Sequence, residues 1–199
     1  MNRSDVPAAS PEPPLRLFVA LWPDAATRRA IDDAAALWHW PAGARRYDSD
    51  DWHVTLHFLG PVPAAQLQTV AQRLAVAFAP FTWTLDTAEC WARGLAVLSC
   101  SHPAPPLAAL HRRLRRALMA LDWSLPQRPL RPHVTLARHA AGARPPPQLA
   151  AIPWRVHDYA LVQSTGTRQP RYLVLHRYPA TPRPSAGGQA CAASAAAHR

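Results

Sequence analysis

The sequence predicts an α+β protein whose strands form antiparallel or mixed sheets. Short runs rich in β-forming residues follow one another as two hairpin pairs, and strands with short connections favour antiparallel pairing. One tetrapeptide, His-Val-Thr-Leu, also occurs twice, at residues 53–56 and at residues 133–136. The length of 199 residues suits one domain or two small lobes that share an interface. The duplication raises the hypothesis of two lobes related by a pseudo-twofold axis, with the two repeated strands face to face.

The first half of the chain alternates strands and helices. Residues 15–22, LRLFVALW, form a short apolar run bounded by a proline, which is typical of a buried strand. Asp24 is a suitable N-cap for a helix that extends to about His39. Polar and apolar residues alternate over residues 53–59, which predicts a strand. Apolar residues at helical spacing then predict a second helix over residues 64–78.

The second half contains the two hairpins and one further helix. Each hairpin joins two β-type runs, and the runs are residues 81–90 with 94–100 and residues 154–164 with 171–178. Leucines at helical spacing predict a third helix over residues 106–121, and residues 133–138 predict another strand. The predicted order is β-α-β-α-β-β-α-β-β-β. Residues 1–14 and 179–199 are rich in Pro, Ala, Gly and Ser and are predicted to be disordered tails.

The composition narrows the function classes. The net charge is +10 and all 22 basic residues are arginine, which favours a polyanionic partner such as nucleic acid. Three cysteines without a C-x-x-C pair argue against a disulfide framework and against a thiolate zinc site. No Gly-rich phosphate loop is present, so use of nucleoside triphosphates is not supported. The sequence shows no signal peptide and no membrane-spanning run, so we expect a cytoplasmic protein.

The repeated tetrapeptide has two competing interpretations. On a strand, His53 and Thr55 lie on one face, about 7 Å apart, and His133 and Thr135 do the same. The alternating residues of the first copy, up to Phe58, would then face a core. The two copies are either structural strands, with histidines bonded to backbone or water, or two halves of one active site. A metal site is not favoured, because His53 and His57 would lie about 13 Å apart on a strand. The glutamate of a zincin motif is also absent.

Two imidazoles and two hydroxyls suit acid–base chemistry on a phosphodiester. One imidazole removes a proton from the nucleophile while the other protonates the leaving oxygen. The hydroxyls of Thr55 and Thr135 hydrogen-bond non-bridging phosphoryl oxygens, and an arginine stabilises the charge that grows on them. Arg138 is the candidate arginine. It lies five residues after His133, so on a regular strand it faces the other way and needs a bend or its long side chain to reach the site.

These residues resemble the motifs of the two-histidine (2H) phosphoesterase superfamily, which is defined by two H-x-[ST]-x motifs. The sequence is most similar to the bacterial and archaeal RNA 2′,3′-cyclic phosphodiesterases, historically named 2′-5′ RNA ligases. The resemblance covers about residues 15–178. It rests on four stretches in the family's order, namely RLFVALWP, WHVTLHFLG, RPLRPHVTLAR and GTRQPRYLVLHRY.

The resemblance implies a fold, an activity and roles for the site residues. The implied fold is a single bilobal α+β domain over residues 15–178, with two antiparallel sheet lobes, outer helices and a central cleft. The implied reaction is metal-independent hydrolysis of RNA 2′,3′-cyclic phosphate ends to 2′-phosphomonoesters. His53 is the implied proton donor and His133 the proton acceptor, while Thr55, Thr135 and Arg138 hold the phosphate. Neither a metal nor a cofactor is implied.

Several alternatives stay open. The same site could act in reverse as a 2′-5′ RNA ligase, or could hydrolyse a small cyclic nucleotide. A different class would be a non-catalytic protein that binds RNA ends. We expect a monomer, since a bilobal chain needs no partner to complete its cleft. His57 departs from the family pattern, on the predicted face of His53, and a solvated or backbone-bonded role is favoured for it. Trp22, Trp52 and Trp91 either stack RNA bases or pack between the lobes.

Overall fold

The structure is a computed structural model that describes residues 13–181, apart from residues 122, 124 and 126–128. The predicted disordered tails fall outside these residues, except for residues 13, 14 and 179–181. The strands are β1 (Leu15–Leu21), β2 (Arg45–Arg46), β3 (Val54–Val62), β4 (Phe81–Leu85), β5 (Thr87–Trp91), β6 (Leu95–Ser99), β7 (His133–Arg138), β8 (Ile152–Val156), β9 (Asp158–Ser164) and β10 (Tyr172–Pro179). The helices are α1 (Ala25–Ala36), α2 (Leu67–Arg73) and α3 (Pro105–Met119).

The main sheet consists of two antiparallel halves that meet side by side. Its strand order is β10-β9-β1-β3-β7-β6-β5, and β2 pairs with β7. The two halves join where Val54 of β3 pairs with Val134 of β7. The predicted α+β class with antiparallel sheets is therefore confirmed. The expectation that the repeated strands lie face to face is wrong, because they are edge-to-edge neighbours in one sheet.

Two predicted strands are each divided between two sheets. The predicted run of residues 81–90 separates at Asp86 into β4 and β5, and the predicted run of residues 154–164 separates at His157 into β8 and β9. The first strand of each run pairs with the other as a two-stranded ribbon, β4 with β8. The second strand of each run stays in the main sheet as part of a hairpin, β5 with β6 and β9 with β10. At each of these two breaks, which we call corners, the chain leaves the two-stranded ribbon and enters the main sheet, so one continuous run contributes a strand to both sheets.

The helices agree with the predictions in position and differ in length. Asp24 caps α1 as predicted, because its carboxylate accepts a hydrogen bond from the Thr27 backbone N–H at 2.7 Å. Helix α2 ends earlier than predicted. The hydroxyl of Tyr159 takes up backbone groups just beyond it, donating to the Leu74 carbonyl and accepting from the Val76 N–H at 2.9 Å. The chain is therefore not helical as far as Phe78, although that side chain is buried.

The sheet has one face against the main core and one face that is left for a cleft. Along β1, Leu17, Val19 and Leu21 point into the main hydrophobic cluster, which also contains the buried side chains of all three helices. Phe18 and Ala20 point the other way, into a small cluster formed with strand residues and Trp22. No helix in the described part of the chain has the length and apolar character needed to cross a membrane.

Candidate active site

The first motif strand, β3, contains a β-bulge directly after Thr55. Thr55 and His57 lie opposite consecutive residues of β1, so Leu56 is an extra residue. A bulge of this kind reverses the alternation of side chains beyond it. His57 therefore turns to the buried side, where it is 6% exposed, while Phe58 is 48% exposed and lines the cleft. The expectations that His57 shares the face of His53 and that Phe58 faces the core are wrong for this reason.

The second motif strand, β7, contains the same bulge at the equivalent position. Thr135 and Ala137 lie opposite consecutive residues of β6, which makes Leu136 the extra residue. The reversal brings Arg138 onto the face of His133 and Thr135. For Arg138 to enter the site, the sequence required a bend or a long reach of the side chain, and the bulge at Leu136 provides that bend. The repeated tetrapeptide therefore specifies the same local structure twice, from the histidine to the bulged leucine.

The structure brings all five predicted site residues to one pocket of about 270 Å³. His53 and Thr55 come from one half of the sheet, and His133, Thr135 and Arg138 come from the other. Further lining residues that the sequence analysis missed are Arg16, Phe18, Tyr47, Asp51, Phe58, Ser164 and Tyr172. The catalytic and binding roles of the five predicted residues stay predictions.

Both imidazoles are oriented by the same backbone contact. His53 Nδ1 lies 2.7 Å from the carbonyl oxygen of Asp51, and His133 Nδ1 lies 2.8 Å from that of Arg131. A carbonyl can only accept, so Nδ1 donates its proton in both rings. In the neutral ring, the lone pair is then on Nε2. Each histidine thus has one nitrogen committed to the backbone two residues earlier and the other free for chemistry.

His53 lies among aromatic side chains. Trp22 stacks on its ring with centroids 5.0 Å apart, and Phe18 and Tyr172 each place their ring centroids at the same distance. Burial among these rings disfavours the imidazolium and lowers the pKa of His53 to about 4, although the hydrogen bond to Asp51 opposes the shift. The site therefore holds a neutral His53 at pH 7 until a negative charge arrives beside it.

His133 lies among cations. Its pKa is lowered by burial and also by the positive charges of Arg131 and Arg138. Trp91 packs against the ring at 4.6 Å and itself lies under the Arg131 guanidinium at 4.3 Å. Two neighbouring arginines favour the neutral, proton-accepting form of His133. The positive charges beside His133 are compatible with a base at this position.

Tyr47 contacts two arginines, Arg138 in the pocket and Arg171 beside it. Arg138 Nε donates to the Tyr47 hydroxyl at 2.6 Å, and the Arg171 guanidinium lies 4.8 Å from the centre of the tyrosine ring. Arg171 also forms an ion pair with Asp51 at 2.8 Å, which raises the pKa of Arg171. Sequence reasoning missed Tyr47, which stands outside both motifs. Tyr172 was within a stretch that carried the family resemblance, and that was the available signal.

The residues that the sequence left undecided now have positions. His57 Nε2 lies 2.9 Å from the His111 carbonyl oxygen, and the two rings stack at 4.1 Å. The favoured backbone-bonded role of His57 is therefore confirmed. Trp52 is a core residue at 4% exposure, whereas Trp22 and Trp91 each pack on one motif histidine. Within the described ranges, no three His, Cys, Asp or Glu residues form a group that could hold a metal ion.

Comparisons with known proteins agree with this geometry. A model of the 2′-5′ RNA ligase superfamily matches residues 22–168. The RNA 2′,3′-cyclic phosphodiesterase of Escherichia coli strain K12 is 33% identical over 175 residues, covering 84% of this chain and 98% of that protein. The protein of the same name from Thermus thermophilus is 30% identical over 180 residues, covering 82% and 89%. The crystal structure of E. coli LigT in complex with 3′-AMP matches with a TM-score of 0.76 at 31% identity, covering 84% of this chain and 99% of that one. The chain therefore belongs to the 2′-5′ RNA ligase superfamily.

Proposed function

We propose that this protein hydrolyses the 2′,3′-cyclic phosphate at an RNA end and leaves a 2′-phosphate and a 3′-hydroxyl. One observation carries the proposal: two imidazoles, each with Nδ1 held by a backbone carbonyl, line one small pocket together with Arg138. The curated relatives in E. coli and T. thermophilus bear the name of this activity. The family membership and the pocket chemistry therefore point to the same reaction.

His133 is the proposed general base. Its neutral ring accepts a proton from water at Nε2, and the water oxygen forms a bond to phosphorus. Burial, together with the cations Arg131 and Arg138, lowers the pKa of His133, which keeps its ring neutral and ready to accept a proton. The negative charge that grows on the phosphoryl oxygens faces Arg138, whose guanidinium is held by Tyr47.

His53 is the proposed general acid. As the bond between phosphorus and the 3′ oxygen breaks, its Nε2–H donates a proton to that oxygen. The proton taken by His133 and the proton given by His53 balance, so one water is consumed per bond broken. The anionic phosphate opposes the burial that lowers the pKa of His53, and the bound substrate thus promotes protonation of its own acid. Thr55 and Thr135 are proposed to hydrogen-bond the non-bridging oxygens.

The test is product analysis after incubation of the purified protein, in EDTA, with a short RNA that ends in a 2′,3′-cyclic phosphate. We expect a 2′-phosphate product, and a loss of kcat of about a hundredfold or more in His53→Ala and in His133→Ala. An unchanged cyclic end would contradict the proposal. A 3′-phosphate product would mean that the 2′ oxygen leaves and that the 3′ oxygen is not the leaving group. Loss of activity when EDTA is present would contradict metal independence.

Two arms of the same experiment separate the alternatives. Adding an RNA with a 5′-hydroxyl tests the reverse reaction, in which a 2′-5′ linkage forms instead of a hydrolysed end. RNA affinity of the two histidine variants separates an enzyme from a binding protein, because an enzyme loses turnover while affinity changes little. Both walls of the pocket come from one chain, which supports the proposal of a monomer without an obligate protein partner. Light scattering in solution tests it. The cytoplasmic location stays a prediction.

A further inference from the structure

A basic groove lies directly beside the catalytic pocket. Its volume is about 720 Å³, compared with about 270 Å³ for the catalytic pocket. Tyr47 and Arg138 line both cavities, so they form the wall between them. In the proposed reaction the smaller pocket holds the reacting phosphate, whereas the larger one opens on the far side of that wall. We call the larger cavity the arginine groove, and its defining residues are Arg45, Arg46 and Arg168.

The arginine groove has an excess of uncompensated positive charge. Five of its ten described lining residues are arginines, and none of the ten is acidic. Arg171 is compensated by its ion pair with Asp51, and Arg138 donates to the Tyr47 hydroxyl. Arg45, Arg46 and Arg168 make no ion pair with any residue that the structure describes. Like charges that are held together without counter-charges repel each other, so an anionic ligand would stabilise the arrangement.

The fold holds two of these arginines in fixed positions. Arg45 and Arg46 form strand β2, which pairs with β7 so that Arg45 lies opposite Arg138 and Arg46 opposite Ala137. The edge of the groove is therefore anchored to the same strand that carries His133 and Thr135. Arg168 lies across the groove, in the turn between β9 and β10. An anion in the groove would thus keep a defined distance from the reacting phosphate.

On the basis of the proposed function, we propose that the arginine groove binds the sugar–phosphate backbone of single-stranded RNA on the 5′ side of the cyclic end. A cyclic phosphate at the end of a strand leaves only its 5′ side connected to further nucleotides. The next phosphates are singly charged, and arginine is the side chain best suited to bind them. The preferred substrate is therefore an oligonucleotide end and not a free cyclic mononucleotide.

The test compares two substrates and two double variants. The substrates are adenosine 2′,3′-cyclic phosphate and a tetranucleotide that ends in the same cyclic adenosine. Arg45→Gln/Arg46→Gln removes two charges from the groove. Arg112→Gln/Arg116→Gln also removes two charges, but from exposed positions of α3 that line neither cavity. Glutamine keeps much of the side-chain length, and thermal melting checks that both variants remain folded.

We expect the ratio of kcat/KM for the tetranucleotide to that for the mononucleotide to fall about tenfold or more in the groove variant, and to stay unchanged in the α3 variant. The dependence of log kcat/KM on log salt for the tetranucleotide should also become shallower, by about 0.7 per lost phosphate contact. An unchanged ratio in the groove variant, or an equal loss in the α3 variant, would overturn the inference.

Failure of the proposed function is a distinct result. If the wild-type protein hydrolyses neither substrate, the reaction is wrong, and the groove is then tested by binding alone. The probe is a fluorescent single-stranded RNA of eight nucleotides with a 3′-phosphate, measured by anisotropy. A roughly tenfold weaker affinity in the groove variant, but not in the α3 variant, would support the groove without the reaction. Equal affinities would overturn it.

Discussion

At the residue scale, the two motif histidines have the same backbone contact and different surroundings. His53 is buried among aromatic rings, whereas His133 is buried beside two arginines. In the free protein both have pKa values below 6.5, and that of His53 is about 4. Because the proposed mechanism needs one protonated and one neutral ring, the competent fraction of free protein falls about tenfold per pH unit above about pH 6.5.

We therefore predict that kcat/KM falls steadily as pH rises from 6.5 to 8.5. The value of kcat should begin to fall only at higher pH, because the bound anionic phosphate raises the pKa of His53. Both are measured with an RNA that ends in a 2′,3′-cyclic phosphate. A kcat/KM that stays constant up to pH 8 would contradict the low pKa of the free donor.

The hydroxyl of Tyr47 gives a second prediction at this scale. Tyr47→Phe removes the acceptor for Arg138 Nε and keeps the ring beneath Arg171. We expect kcat/KM to fall about five- to tenfold, the equivalent of one hydrogen bond of about 1 kcal/mol, with little change in Tm. Tyr178→Phe is the matched control, because its hydroxyl donates to the Ala71 carbonyl in the core. Tyr178→Phe should have a lower Tm and an unchanged kcat/KM. A lower Tm with an unchanged kcat/KM in Tyr47→Phe would show that Tyr47 is merely structural.

At the scale of the element, the bulges explain which parts of the site could be predicted. Alternation along a strand places His53 with Thr55, and His133 with Thr135, because all four residues precede the bulged leucines. Beyond the bulge, the face of the sheet that each side chain occupies depends on how the strand pairs with β1 or β6. That pairing is a tertiary property which the local sequence does not contain. Placement of His57 and Phe58 was wrong for this reason, and Arg138 required a bend that could be recognised but not located.

The same limit applies to whole elements. The predicted runs of residues 81–90 and 154–164 consist mostly of β-forming residues, and a single Asp86 or His157 within such a run does not by itself mark a change of sheet. The helices were predictable in place because Asp24 is a cap and because α3 has a regular leucine stripe. Tyr47 belongs to neither kind of pattern. It reaches the site only because the chain before β3 passes the end of β7, where the Tyr47 N–H donates to the Leu136 carbonyl at 2.8 Å.

The bulge in β3 also predicts that His57 has no part in catalysis. Its ring lies on the core side, bonded to the backbone of α3. His57→Ala leaves that carbonyl without its partner and opens a cavity, so we expect a loss of about 2 kcal/mol of stability and a Tm lower by about 4–8 °C. The value of kcat/KM should stay within about twofold. The contrasting variant is His53→Ala, which should lose turnover by far more than any change in its Tm explains, and a loss of turnover in both variants would contradict the assignment.

At the scale of the whole molecule, the site exists only because two halves of one sheet meet along a short contact. β3 and β7 pair only at Val54 and Val134, yet they bring the two histidines into one pocket. One hydrophobic cluster continues across both halves and includes the helices and the β4–β8 ribbon. Because this shared core holds the two halves together, the polar side chains where the halves meet are not needed for packing and can line the pocket.

The buried histidines give the whole molecule a dependence of stability on pH. The pKa values of His53, His57, His111 and His133 all lie below the unfolded value of 6.5, and those of His53 and His111 are about 4. Unfolded chains bind these protons as pH falls below 6.5, while the folded protein binds them only at lower pH, near pH 4 for His53 and His111. The stability gained from these groups is therefore complete above about pH 6.5 and is lost between about pH 6.5 and 4.

We expect the Tm to fall over this window. The fall should be shallower in His57→Leu/His111→Leu, which removes two of the four imidazoles with a lowered pKa and leaves the proposed catalytic pair, His53 and His133, in place. His176→Gln, at an exposed position on β10, is the control and should retain the wild-type slope. Differential scanning calorimetry from pH 7.5 to 5 measures both. Identical slopes in the wild type and the double variant would show that His57 and His111 bind protons equally in the folded and unfolded states, which would contradict their lowered pKa values.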